Sequence, residues 1–215
     1  MQNPPPLLFE VPSQLPGMSD IAFSALRLAA LSSRLALEDR TLVNHPTGRA
    51  ENVAEHSHML AIVAPAIAEM YYPDLDANLI SRFAAIHDAV EAYVGDTTTH
   101  NIDEKGLSQK AEREAYGMQR LKEDFAWLPT FTSLIDQYEE QKMREARFVR
   151  IVDKWTPALV HFADQGATVR SYTDPQRLVD DYQFHATRLK KHYPDFIELV
   201  AVREELTQLI GEHLF

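Results

Sequence analysis

The stretch Asn78-Leu79-Ile80-Ser81-Arg82-Phe83-Ala84-Ala85-Ile86-His87-Asp88-Ala89-Val90-Glu91-Ala92-Tyr93-Val94-Gly95-Asp96 decides the reading of the fold. Leu79, Phe83, Ile86 and Val90 recur at helical spacing, so the pattern predicts a helix over about 78–94 with one apolar stripe. Gly95 suits its C-terminal cap. His87 falls on that stripe, and Asp88 follows one step of about 100° around the helix. Polar groups on a core-facing stripe are costly unless they are paired or bind a metal.

The same periodicity extends in both directions. Ser19 or Asp20 can cap a helix reaching about Arg40, and a loop follows at His45 to Gly48 with Pro46. A second helix starts near Asn52, carries Val53, Leu60, Val63 and Ile67 on one stripe, and ends at Tyr72-Pro73-Asp74; Pro65 should kink it. After a loop at 97–105, helices are expected at about 107–125, 130–143, 145–165, 175–192 and 194–213. The 145–165 segment, with Phe148, Ile151, Val152, Trp155, Leu159, Val160 and Phe162, is apolar on most sides and should be central. No strand-like alternation and no internal repeat stands out. The expectation is an all-α, compact multi-helix bundle over 19–215, preceded by a proline-rich arm at 1–18. Leu7, Leu8 and Phe9 give that arm two readings: it packs on the body or a partner subunit, or it is a loosely tethered terminus.

Composition narrows the function. In 215 residues, 45% are apolar, only 7 are glycine and none is cysteine. That supports a helix-rich core and excludes disulfides and thiolate metal sites. A net charge of −11 disfavours long nucleic acid as a partner. The start lacks a signal-peptide pattern and no uncharged apolar run approaches membrane-spanning length, so a cytoplasmic protein with no membrane partner is expected.

Further polar residues interrupt apolar stripes. His56 sits between Val53 and Leu60, and Asp153 lies inside the most apolar helix. Two imidazoles and two carboxylates form a mixed N/O donor set for one divalent cation: Mn, Fe, Co, Ni or Zn. Glu91, four residues after His87, could orient or deprotonate a water at such an ion, and Asp96 could look into the same cleft. Singly, each has an ordinary reading. A stripe histidine is usually a satisfied core residue, Asp153 an ion-pair partner of Arg150 or Lys154, Glu91 a solvated helix face, and Asp96 a turn residue after glycine. Nine His and fifteen Asp give about 0.6 adjacent His-Asp pairs by chance, so only the joint pattern carries weight.

That joint pattern resembles the HD-domain phosphohydrolases, and within them the bacterial 5′-deoxynucleotidase branch. The likeness is carried by Arg49-Ala50-Glu51-Asn52-Val53-Ala54-Glu55-His56-Ser57, by His87-Asp88-Ala89-Val90-Glu91 with Gly95-Asp96 and Thr97 to Thr99, and by Ile151-Val152-Asp153-Lys154. It spans roughly residues 20–165. The resemblance implies His56, His87, Asp88 and Asp153 as ligands of one divalent metal ion, with Mg joining the metals above. It implies Glu91 as the residue that positions the nucleophilic water and Asp96 as general acid toward the leaving oxygen. It also implies an upstream arginine on phosphate, for which Arg40 and Arg49 both stand in suitable stretches; Lys154 is a third cationic candidate, and ordinary surface charge is the alternative for all three. The implied partner is a small-molecule nucleotide, and the implied assembly a homodimer. One departure is that Thr41 follows Arg40 where the branch tends to place a tryptophan that crowds the sugar. Trp155 could compensate or belong to the core.

Three functions are consistent with this pattern. The leading one is hydrolysis of (deoxy)nucleoside 5′-monophosphates to nucleoside and phosphate. Another is a (deoxy)nucleoside triphosphate triphosphohydrolase with the same metal centre, for which Lys105, Lys110 and Arg113 could serve a longer phosphate tail. The third is a non-catalytic helical binding module with a vestigial site.

Overall fold

The computed structural model describes residues 13–44, 48–96 and 104–215. Helix α1 spans Asp20–Leu35 and is capped by Ser19, whose hydroxyl accepts from the Ala22 amide. A two-stranded antiparallel hairpin follows, β1 at Asp39–Asn44 and β2 at Ala50–Asn52, pairing Asp39 with Asn52 and Asn44 with Ala50. It was not expected from the sequence, and it shortens the first helix from about Arg40 to Leu35. With only two strands, one of them three residues long, there is no room for an alternation to show. The remainder of the described chain is helical, as the composition implied.

Asn52 ends the hairpin and begins α2 (Val53–Tyr71) with a reciprocal cap. Its side chain accepts from the Glu55 amide while the Glu55 carboxylate accepts from the Asn52 amide. This fixes the first turn of α2, where His56 sits. Helix α3 runs over Ala77–Ile86 under an Asp76 cap, and α4 is a single turn at Glu91–Val94. Then follow α5 (Glu104–Asp124), α6 (Pro129–Glu139), α7 (Arg144–Asp153), α8 (Thr156–Ala163), α9 (Val169–Tyr172) and α10 (Pro175–His192). A 3₁₀ turn at Pro194–Phe196 leads into α11 (Ile197–His213).

Two helices expected to be continuous are broken, both at the site. The 78–94 helix stops at Ile86 and restarts at Glu91. Between them the chain makes tight turns, with Ala89 N to Ile86 O and Glu91 N to Asp88 O both 2.9 Å. The 145–165 helix stops at Asp153. Pro157, in the first turn of α8, has no amide hydrogen to offer the carbonyl of Asp153, and the Thr156 hydroxyl donates to it instead at 2.7 Å.

The main core joins α2, α3, α7 and α11. Leu60, Ile80, Phe83, Phe148, Ile151 and Val152 are fully buried there, which places the apolar 145–165 segment at the centre as its composition required. A second cluster (Leu31, Val53, Tyr93, Leu121, Phe125, Ile135) ties α1 and α4 to α5 and α6. A third, around Leu178 and Ile210, closes α8–α11. No helix among the described residues is long and apolar enough to cross a membrane. The arm at residues 1–12, the loop residues His45 and Pro46, and Thr97 to Thr99 lie outside the described residues, as do the side chains of Thr41 and Lys105.

Candidate metal centre

Four of the residues singled out above meet at the junction of α2, the α3–α4 turn and the end of α7. His56 comes from the first turn of α2, His87 and Asp88 from the turn, and Asp153 from the last residue of α7. The two Nε2 atoms lie 3.1 Å apart. Asp88 Oδ2 is 2.9 Å from His87 Nε2 and 3.5 Å from His56 Nε2. Asp153 Oδ1 is 3.0 Å from His56 Nε2 and 3.7 Å from His87 Nε2. His56, His87 and Asp88 form the tighter triad, each placing one donor atom within 4.8 Å of the others. Asp153 reaches it through the imidazoles. Both histidines and Asp153 are buried, and Asp88 retains partial access to solvent.

These residues fit a divalent ion. Donors about 2.0–2.2 Å from one cation stand about 3.0–3.5 Å from each other, close to the separations observed. The tautomer of His87 is set correctly, because its Nδ1–H donates to the Ala84 carbonyl at 2.8 Å and leaves Nε2 to face the cluster. The electrostatics also call for a cation. Burial opposes charge on His87, yet Asp88 and Asp153 outweigh it and raise the imidazole to about 10. Burial keeps His56 below its ordinary value. Asp88 and Asp153 resist the upward push of burial and stay well below the usual carboxylate range, Asp88 beside His87 and Asp153 beside Lys154 and the two imidazoles. Without a metal ion, the proton on His87 supplies positive charge between the half-buried Asp88 and the buried Asp153.

The break after Ile86 explains how neighbours in sequence share one centre. On a continuous helix His87 and Asp88 would point about 100° apart; the turn brings Asp88 Oδ2 onto His87 Nε2. Glu91 then opens α4 instead of continuing the helix of His87, so its helical spacing to His87 does not apply. It reaches the site nonetheless. Its Oε2 is buried and has no hydrogen-bond partner among the described residues, and burial together with Asp88 and Asp96 pushes its carboxyl up to about 9. Asp96 follows Gly95, which takes φ +72°, and its charge raises both Glu91 and Glu38.

The three cationic candidates separate. Arg40 crosses from β1 to the cluster, with Nη1 3.7 Å from Asp88 Oδ2. Arg49 is exposed and forms a two-pronged pair with Glu55, Nη1 to Oε2 being 2.8 Å. Lys154 donates from Nζ to Asp153 Oδ2, the oxygen not facing the imidazoles. Trp155 is buried in the main core and donates to the Leu199 carbonyl at 3.0 Å.

Other contributors escaped the sequence reading. Tyr138 sits edge-on to the His87 ring, with centroids 6.2 Å apart, and carries the Arg150 guanidinium over its own ring at 4.9 Å. No local spacing links α6 to α3, so no motif could reveal it. Glu51 lies inside the quoted stretch Arg49 to Ser57, but nothing in its neighbours shows that a strand turns it inward.

Comparison with known proteins agrees with the geometry. The HD domain family model matches residues 33–195. The chain is similar to the 5′-deoxynucleotidase hdd1 of Schizosaccharomyces pombe, 27% identical over 130 residues that cover 57% of this chain and 63% of that protein, so it spans less than two thirds of that relative's length. It also resembles the crystal structure of a predicted metal-dependent phosphohydrolase from Magnetospirillum magnetotacticum MS-1, with a TM-score of 0.63 and 26% identity, covering 88% of this chain and 94% of that one. The chain belongs to the HD domain family.

Proposed function

We propose that the protein hydrolyses (deoxy)nucleoside 5′-monophosphates to nucleoside and phosphate. One observation carries this reading: His56, His87 and Asp88 form one triad that Asp153 reaches through the imidazoles, with the half-buried Glu91 and the Arg40 guanidinium beside it. The fission-yeast relative that bears the name 5′-deoxynucleotidase supports the choice of substrate.

A divalent ion held by His56, His87, Asp88 and Asp153 would supply Lewis acidity and make a neighbouring water more acidic. The chain does the rest. Glu91 offers Oε2 to orient the attacking water and accept its proton, and the carboxyl ionises more readily beside a cation. As the water oxygen bonds to phosphorus, the bond from phosphorus to the 5′ oxygen breaks, and Asp96 delivers the proton that the departing nucleoside oxygen needs. Arg40 neutralises phosphate oxygens. Lys154 holds Asp153 in place, and Arg49, engaged by Glu55, supports the start of α2. Uncatalysed phosphate monoester hydrolysis is among the slowest of reactions, so positioning and electrostatics must supply most of the acceleration. We further propose a homodimer working in the cytoplasm on free nucleotides, without a nucleic-acid or membrane partner.

The test is a panel of ribo- and deoxynucleoside mono- and triphosphates, each with Mg, Mn, Co and Zn, with products resolved. Orthophosphate from a monophosphate supports the proposal. Tripolyphosphate from a triphosphate would replace it with the triphosphohydrolase reading, and no turnover of any nucleotide would remove both. Light scattering coupled to gel filtration checks the dimer.

A further inference from the structure

We propose that Glu51 is a positioning residue that holds Arg40 by its Nε edge, keeps the other edge of the guanidinium turned toward the His/Asp cluster, and so sets the affinity of the site for a phosphate group. This inference rests on the phosphohydrolase reading above and concerns Glu51, to which nothing in that reading gave a role.

Glu51 is the middle residue of β2 and is 3% exposed, an unusual place for a carboxylate. Among the described residues its ion-pair partner is Arg40, across the hairpin on β1, with Nε 3.4 Å from Glu51 Oε2. The Arg40 side chain is itself 15% exposed, and its Nη1 stands 3.7 Å from Asp88 Oδ2, beyond hydrogen-bond reach. Arg40 Nε makes no hydrogen bond among the described residues, so Glu51 acts on it as a charge: the guanidinium spans the gap between the hairpin and the candidate metal centre, ion-paired with Glu51 on one edge and standing beyond hydrogen-bond reach of Asp88 on the other. Burial pushes Glu51 up to about 7 and Arg40 opposes that push.

The arrangement solves a geometrical problem. A long cationic side chain beside a cluster of carboxylates has two easy alternatives to facing substrate: it can collapse onto Asp88 or turn out into water. A buried anion behind it blocks both. A phosphate then meets a guanidinium already in place, and the ordering cost is not charged to binding. The hairpin exists, on this view, to bring Glu51 and Arg40 to opposite sides of one turn. The capping box at Asn52 and Glu55 follows immediately and fixes Glu51 relative to His56.

The experiment is a double-mutant cycle on the full-length, Mn-loaded protein, with inorganic phosphate as the calorimetric probe and a deoxynucleoside 5′-monophosphate for kinetics. Glu51→Gln should weaken phosphate about tenfold and raise KM by a similar factor, with kcat within about threefold of wild type and Mn content unchanged. Arg40→Ala should weaken phosphate at least as much, and the double variant no further than Arg40→Ala alone. A merely structural Glu51 would instead lower the unfolding temperature and metal content, and its loss would add in full to that of Arg40→Ala. Either full additivity or an unchanged phosphate affinity in Glu51→Gln overturns the proposal. If Glu51→Gln does not fold, Glu51→Asp keeps the buried charge but withdraws it by one methylene; phosphate affinity equal to wild type in that variant also overturns it. Phosphate binding that depends on the pair in a protein inert toward every nucleotide would sink the functional reading and leave this one standing. Turnover with phosphate affinity indifferent to Glu51 would do the reverse.

Discussion

Loading the centre with a divalent metal ion should expel protons, and their number follows from the side chains. In the metal-free chain Asp88 and Asp153 overcome burial to hold His87 at about 10, so at pH 7.5 its imidazole is charged. Coordination through Nε2 needs the lone pair, so that proton must leave. Glu91, pushed up to about 9 by burial, Asp88 and Asp96, is also protonated at pH 7.5 and gives up part of its proton to a nearby double positive charge. His56 is already neutral and Asp88 and Asp153 already ionised, so they contribute little. Between about one and two protons therefore depart per ion. Because the protonated forms oppose the metal, affinity falls as pH drops, by about tenfold per pH unit for each proton, or about 1.4 kcal/mol. From pH 8.0 to 6.5 the dissociation constant for Mn should rise by about 30-fold to 1,000-fold. Titration calorimetry at pH 7.5 in two buffers of different ionisation enthalpy counts the protons directly, and Glu91→Gln should bring the count toward one. Equal affinity at pH 6.5 and 8.0, or no proton release, would show that the two imidazoles and two carboxylates are not the ligand set.

Three further outcomes are expected. Glu91→Gln should keep its metal and lose at least about a hundredfold in turnover, measured as phosphate release; full activity would remove Glu91 from the reaction. Phe83→Ala, at a fully buried position on α3, should cost about 3–5 kcal/mol in urea unfolding of the metal-free protein, and a loss below 1 kcal/mol would contradict the packing described. In Gly117→Ala the new Cβ would lie 2.7 Å from Val94 Cγ1 and 3.0 Å from Val90 Cγ2, forcing α5 away from the turn that carries Glu91. A net destabilisation of about 1–2 kcal/mol, with turnover reduced and metal retained, is expected despite alanine's better helix propensity, and a stabilised variant would refute the close approach.

Much of this was legible in the residues alone. Periodicity placed α2, α5, α6 and α10 to within a few residues, and Ser19, Asn52 and Gly95 cap where their chemistry suggests. Imidazoles and carboxylates on apolar stripes pointed to a common centre because burial without a partner is costly, and that argument does not depend on knowing the tertiary contacts. What it could not show was how the groups meet. The stripe through Phe83, Ile86 and Val90 continues unbroken in sequence across a real break in the helix. Its cause is the turn at His87–Val90, whose hydrogen bonds leave no mark on hydrophobic spacing. Pro157 was a readable stop signal for α7 that the strong apolar run concealed. The hairpin, and with it the difference between Arg40 at the cluster and Arg49 on Glu55, depends on a pairing between two short segments that neither segment announces.

The hydrogen bond from His87 to Ala84 ties the fate of a helix end to the chemistry beyond it. Ala84 bears one of the carbonyls that a helix closing at Ile86 leaves without an amide, and the ring is anchored to that spare acceptor. Fraying of the last turn of α3 would release the ring to spin and present the wrong nitrogen. Metal retention thus becomes a gauge of local helix order. Substitutions at exposed positions such as Arg82 or Ala85 should lower metal content before they unfold the protein.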